Sequence, residues 1–194
     1  MSAAAIELVT LALRDRIAEA LESTSANGDV FIGPLSASGT TSRRVVLFLY
    51  RVAVNTELRN RPYSHVKETS KVAELHEHAV PLDLHFLITP SLRPDVDSAN
   101  ESDRAELRDL GQIILALHLD PVITGRYVAG QTCKLVLEQL SSEEMSRLWG
   151  LFPTENYRTS VSLLVSPVWL VPTLKPPGAP VLDETYATRA GVEV

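Results

Sequence analysis

The chain has 194 residues, 45% of them hydrophobic and 22% charged, enough for one domain with a sizeable core and too little for two large ones. Its net charge of −6 argues against a nucleic-acid binder that works by phosphate neutralisation, and against a protein held on acidic lipid. One cysteine, Cys133, excludes an intramolecular disulfide and any multi-cysteine zinc or iron–sulfur site. Glu7, Arg14, Asp15 and Arg16 interrupt the first twenty residues, unlike the apolar stretch of a signal peptide. The longest uncharged apolar run, 45–50, is far short of the roughly 20 residues that cross a bilayer. These features predict a soluble chain folded in the cytoplasm.

The first element is a helix. Ile6, Val9, Leu13, Ile17, Ala20 and Leu21 recur at three- and four-residue intervals and fall on one face. Asn27 and Gly28 form its stop, because both tolerate positive φ. Residues 29–35 read as a short strand and 36–42 as a loop. Residues 45–54 form the strongest strand candidate, β-branched, aromatic and nearly continuous in apolarity, as suits a central strand. Residues 55–80 are polar and weakly patterned, long for a connection in a compact domain, and read as a functional or mobile excursion. One or two helical turns are expected within 71–78.

Residues 82–89 alternate, with Leu82, Leu84, Phe86 and Ile88 on one face and Asp83 and His85 on the other. A helix follows, with Asp103 as cap, Glu106 as its capping-box partner, and Leu107, Leu110, Ile114 and Leu117 along its buried face. Asp120 and Pro121 close it. Residues 134–140 read as a strand. Ser141 and Glu144 form a second capping box, opening a short helix through Met145, Leu148 and Trp149. Residues 159–171 form the last strand. The prolines at 172, 176, 177 and 180 then mark residues 173–194 as an extended arm outside a core domain of 1–172. This order gives an α/β (α+β) fold: one mixed, largely antiparallel sheet with helices packed on one side.

Few constellations carry chemistry. Residues 125–132 have the glycine spacing of a phosphate loop and its terminal Thr. Gln131 stands where that motif needs Lys, and the loop follows a helix end and not a strand. A surface loop with turn glycines is the plainer reading. His76 and His78, with His85 nearby, share a face only in extended chain, and zinc would need further ligands from His65, Glu74 or Asp83. No catalytic, cofactor or metal site is assigned. Cys133, just before an apolar strand, reads as a buried, inert thiol. Asp83 and His85 could pair in an acid–base site, with no nucleophile identifiable beside them. Arg51, Arg59, Arg61, Lys67 and Lys71 face only Glu57 and Glu68 locally, a solvated face or a contact patch for an acidic partner.

Four segments carry a resemblance to a known family: 46–52 (VLFLYRV) followed by Leu58, Arg59 and Asn60; 81–89 (PLDLHFLIT); 107–122, with its Leu-Gly and Leu-His-x-x-Pro-Val elements; and 140–149 (LSSEEMSRLW) leading through Tyr157 and Arg158 to Ser160 and Val161. In this order and spacing the chain resembles the tail-terminator, or cap, proteins of contractile injection systems. These are phage-tail-like particles of the virulence-cassette and antifeeding-prophage types. The likeness spans residues 4–172. It implies a structural protein and no enzyme: a homo-hexameric ring on the end of the inner tube and sheath that stops polymerisation and couples the two. The implied partners are the tube, the sheath and other copies of the chain, with no nucleic acid, no cofactor and no insertion into a membrane. Assembly would be cytoplasmic, in a particle later released or anchored. Residues 55–80 and those after Val171 carry no family pattern. Candidate contacts are Arg51, Arg59, Arg61, Lys67 and Lys71, and in the arm Pro176, Pro177 and Tyr186. Two other classes compete: a monomeric adaptor using the basic 51–71 segment, and a small enzyme around Asp83 and His85. The enzyme requires those side chains to converge in a cleft with a third polar group.

Overall fold

The computed structural model describes residues 4–22, 29–36, 43–66, 73–91, 99–125, 128 and 130–172. Among these, the chain order is α1 (Ala5–Ala20), β1 (Val30–Ile32), β2 (Val45–Val54), β3 (Tyr63–Val66), β4 (Ala73–His76), β5 (Val80–Pro90), α2 (Ala99–Leu119), β6 (Val122–Thr124), β7 (Thr132–Glu138), α3 (Ser142–Trp149) and β8 (Val161–Leu170). Six strands form one sheet in the order β1-β2-β5-β8-β7-β6; β3 and β4 form a separate hairpin. Only the β1–β2 pairing is parallel; the others are antiparallel.

Alternation along β5 sets the two faces of the sheet. Leu82, Leu84, Phe86 and Ile88 point into the main core, where they meet Val9, Leu13 and Ile17 of α1 and Ile113 and Leu117 of α2. Leu87 points the other way, into a smaller cluster with Val46, Leu148, Trp149 and Phe152. The two long helices therefore share one side of the sheet, as expected from sequence, and the short α3 covers one end of the opposite side. A strand apolar on both faces is what such two-sided cover requires.

The long helix differs from its sequence reading in start and phase. It begins at Ala99, so Asp103 lies inside it and is not its cap. Leu110, Ile113 and Leu117 are buried, whereas Leu107 is 58% exposed. Ile114 is half-buried. The phase is fixed by a buried carboxylate. Asp109 is 4% exposed and accepts two bonds from the Arg44 guanidinium, at 2.7 and 3.2 Å. Arg44 also donates to the carbonyl of Leu21, at 3.0 Å. One side chain thus joins the end of α1, the approach to β2 and the middle of α2. Arg16 makes a parallel link, from α1 to the Val122 carbonyl at 3.1 Å and the Asp120 carboxylate at 2.9 Å.

Three further readings are corrected. The strand expected over 29–35 is confined to Val30–Ile32. The helical turn expected in 71–78 is strand β4, paired with β3. The excursion 55–80 thus holds a tight turn at 56–60 and a hairpin. The third concerns residues 125–132, which follow strand β6 and connect it to β7. Helix α1 ends at Ala20, with Glu22 at φ +52°, ahead of the stop expected at Asn27 and Gly28. Those two residues, most of the loop expected over 36–42 and the arm expected over 173–194 lie outside the described residues.

Removing one member of a buried, hydrogen-bonded ion pair leaves the other uncompensated. Asp109→Ala should therefore cost about 3 kcal/mol in urea unfolding, whereas Leu107→Ala on the same helix should stay within about 0.5 kcal/mol.

Candidate functional site

The half of the second sheet face that α3 leaves uncovered carries a chain of polar side chains across three adjacent strands and β2. His85 Nδ1 lies 2.9 Å from Glu138 Oε2. That carboxylate accepts from Ser162 at 3.2 Å, and Ser162 is 3.0 Å from the Tyr50 hydroxyl. Burial raises the Tyr50 hydroxyl above its ordinary value, while the Ser162 bond pulls it down. A bulge in β2 between Leu49 and Arg51 carries Tyr50, and the ring packs against the smaller core cluster. Asp83 belongs to a different set: it accepts from Asn55 at 3.0 Å and from Ser166.

Asp83 and His85 therefore do not converge. Asp83 is held by Asn55 and Ser166 and His85 by Glu138, and neither lines either of two surface clefts found among the described residues. The larger cleft, about 420 Å³, runs between Pro90, Glu106 and Leu107 on one side and residues 156–159 on the other. The smaller, about 340 Å³, lies between residues 75–78 and Val171 and Pro172. In the polar chain the carboxylate sits between serine and histidine. A serine nucleophile needs the imidazole in that position, to take its proton.

The hairpin is anchored by aromatic stacking. The Tyr63 ring stacks with His76, at 6.0 Å, and with Trp169 of β8, at 5.0 Å, nearly parallel to both. Gln131 fixes Trp169 in turn. Its amide donates to the Trp169 carbonyl and accepts from the Trp169 N–H, both at 2.7 Å. The β7–β8 ladder stops at Lys134 and Ser166, so this buried side chain extends it by one rung. The residue that spoils the phosphate-loop motif is thus a structural clamp. Gly125 and Gly130 adopt positive φ, +88° and +75°, and the Gly125 carbonyl accepts from the N–H groups of Val128 and Gly130. They are turn glycines of a loop between two strands. Cys133 is fully buried, and burial pushes its thiol from 9.0 up to about 12.

The candidate contact residues fall in several places. Arg51 is exposed beside the Tyr50 bulge, within electrostatic reach of Glu144 on α3. Arg59 and Arg61 are exposed in the turn after β2. Lys67, Lys71, Pro176, Pro177 and Tyr186 lie outside the described residues. Of the histidines weighed as ligands, His76 stacks on Tyr63 and His78 is exposed in the following turn. Among the described residues no group of three or more His, Cys, Asp or Glu side chains is placed to hold a metal ion. Sequence reasoning passed over Tyr63, Glu138, Ser162 and Trp169, and weighed Gln131 only as the residue that breaks the phosphate-loop motif. The one local signal was Gln131, a lone amide opening an apolar strand.

A profile of one protein family matches residues 8–184, nearly the whole chain. The chain belongs to the Pvc16 N-terminal domain family. No curated protein sequence gives a significant match. Among solved structures, the fold resembles the PVC sheath/tube terminator of an extracellular contractile injection system in its extended state. The TM-score is 0.54 at 15% identity, over 94% of this chain and 64% of that one. It also resembles the anti-feeding prophage cap, a tube-terminating cap, with a TM-score of 0.54 at 14% identity, over 92% of this chain and 59% of the other. This chain thus spans less than two thirds of the length of either. No helix among the described residues is long and apolar enough to cross a membrane.

Two outcomes are expected from the clamp and the thiol. Gln131→Ala strands two buried backbone groups, each worth about 1–3 kcal/mol, so chemical denaturation should show a loss of about 2–6 kcal/mol. Hydrogen exchange should then rise in the Tyr63–His76 hairpin. Because the unfolded thiol ionises first, stability should be untouched by Cys133 below about pH 9. It should fall as pH rises from there towards 12, and Cys133→Ala should flatten that fall in melts recorded against pH.

Proposed function

We propose that this chain is the terminating cap of a contractile injection particle. It sits on the end of the inner tube and sheath, halts further polymerisation and couples the two tubes. The observation that carries this reading is the extent of the likeness. A profile covering 8–184 and two terminator or cap structures covering over nine tenths of the chain coincide on the same fold. The closed ring of six copies, the cytoplasmic assembly and the tube and sheath as partners are parts of the same proposal.

The physical character of the chain supports this role. A terminator needs a rigid body that presents one matching surface to a growing end and recruits nothing on the other. The open edge of β2 beyond the three residues paired with β1 is blunted by the Tyr50 bulge and the Arg51 charge, two devices that discourage strand addition. The separated environments of Asp83 and His85 support a role without catalysis. Arg51, Arg59 and Arg61 have no ion pair among the described residues, unlike Arg14, Arg16, Arg44, Arg147 and Arg158, and are available for an acidic partner. Residues 173–194 span at most roughly 70–80 Å when extended, enough to reach an adjacent subunit or the sheath.

Particles assembled without this chain should carry tubes and sheaths of uncontrolled length in electron micrographs. Complementation with the triple variant Arg51→Glu, Arg59→Glu, Arg61→Glu, or with residues 173–194 deleted, should restore length control only in part. Normal length distributions without the chain would refute the capping role.

A further inference from the structure

The two long helices lie side by side on one face of the sheet and turn opposite charge to solvent. On α1 the exposed residues are Glu7, Asp15 and Glu19, all acidic; Asp15 is paired with Arg14 at 2.6 Å, so Glu7 and Glu19 carry the charge of this face. With the half-buried Leu11 they form one ridge at four-residue spacing. On α2 the exposed residues from 104 onward include Arg104, Arg108 and His118 and no carboxylate. Between these charges stand three leucines in a stripe, Leu107, Leu115 and Leu119, which are 58%, 57% and 72% exposed. Arg104 and Arg108 have no ion pair among the described residues. A basic, leucine-rich helix face on a chain of net charge −6 is, among the described residues, a surface without a partner.

Gly111 sharpens the picture. It occupies the same ridge, between Leu107 and Leu115, in the exposed middle of a 21-residue helix. Glycine there destabilises the helix relative to alanine. A Cβ at this position would meet nothing within 4 Å, so the fold of the subunit does not require glycine. What glycine provides is a dent that lets another helix come close.

We propose that the exposed face of α2 docks on the exposed face of α1 of a second copy of this chain, Leu11 of the acidic ridge lying over Gly111. Charge complementarity selects this occupant. Setting α2 on α2 would oppose arginines, and setting α1 on α1 would oppose carboxylates. A contact between two different surfaces of the same chain is head-to-tail, and such contacts build a ring where the rotation between copies closes. The inference rests on the reading of the chain as a ring-forming cap, and it names the surfaces by which the copies meet.

The test is sedimentation velocity on the full chain over a range of concentrations at low salt. The wild type should self-associate, less so at high salt. The variant Arg104→Glu, Arg108→Glu should weaken association about tenfold or more, and so should Glu7→Arg, Glu19→Arg. Mixing those two variant chains should restore it, because each then supplies the charge the other lacks. Gly111→Leu should weaken it while leaving the thermal melt unchanged or raised, since the monomer has room for the side chain. Association unaffected by the swaps, failure of the mixture to recover, or a wild type that stays monomeric at every concentration would overturn the docking surface. None of these results touches the capping role, which stands or falls on particle length.

Discussion

Strand β5 is hydrogen-bonded along both edges, to β2 and β8, and packed on both faces. Every other element is placed with reference to it. Its even-numbered residues anchor the two long helices, and Leu87 anchors the cluster under α3. Its odd-numbered polar residues, Asp83 and His85, face the uncovered half of the second side. A change that slipped β5 by one residue would exchange these two sets and place a carboxylate and an imidazole against α1. The register is held from outside the ladder as well, by Asn55 and Ser166 on Asp83 and by Glu138 on His85.

Buried polar contacts then decide where the periphery goes. Arg44 and Asp109 set the rotation of α2, and this leaves Leu107, Leu115 and Leu119 facing water. Gln131 sets Trp169, and Trp169 sets Tyr63 and its hairpin. Each device joins residues far apart in sequence, and each acts by satisfying groups that would be costly to bury alone. The fold that results has charged helix faces and a blunted sheet edge.

The legible parts of the fold are those with a local cause. The β-branched run 45–54 coincides with β2. The Ser141 and Glu144 capping box opens α3, with both reciprocal bonds made. Cys133 is buried as its apolar neighbourhood implies. The illegible parts depend on distant partners. The hairpin Tyr63–His76 has neither apolar alternation nor a turn signature, and its anchor, Trp169, is about a hundred residues away. The phase of α2 differs from the expected face because Asp109 is buried against Arg44, which turns Leu107 to solvent. The family resemblance was legible because most of its four segments lie on strands and helices of the fold. The candidate contact surfaces were less so, because charge clustered along a sequence need not cluster in space.

The central claim is that this chain terminates a tube and sheath. The most direct measurement is cryo-electron microscopy of intact particles carrying a tagged version of the chain, with the tag located by gold labelling. The account predicts label at one end of each particle only, in a single layer beyond the last ring of tube and sheath. Label distributed along the sheath, or particles with an unlabelled but normally closed end, would contradict it.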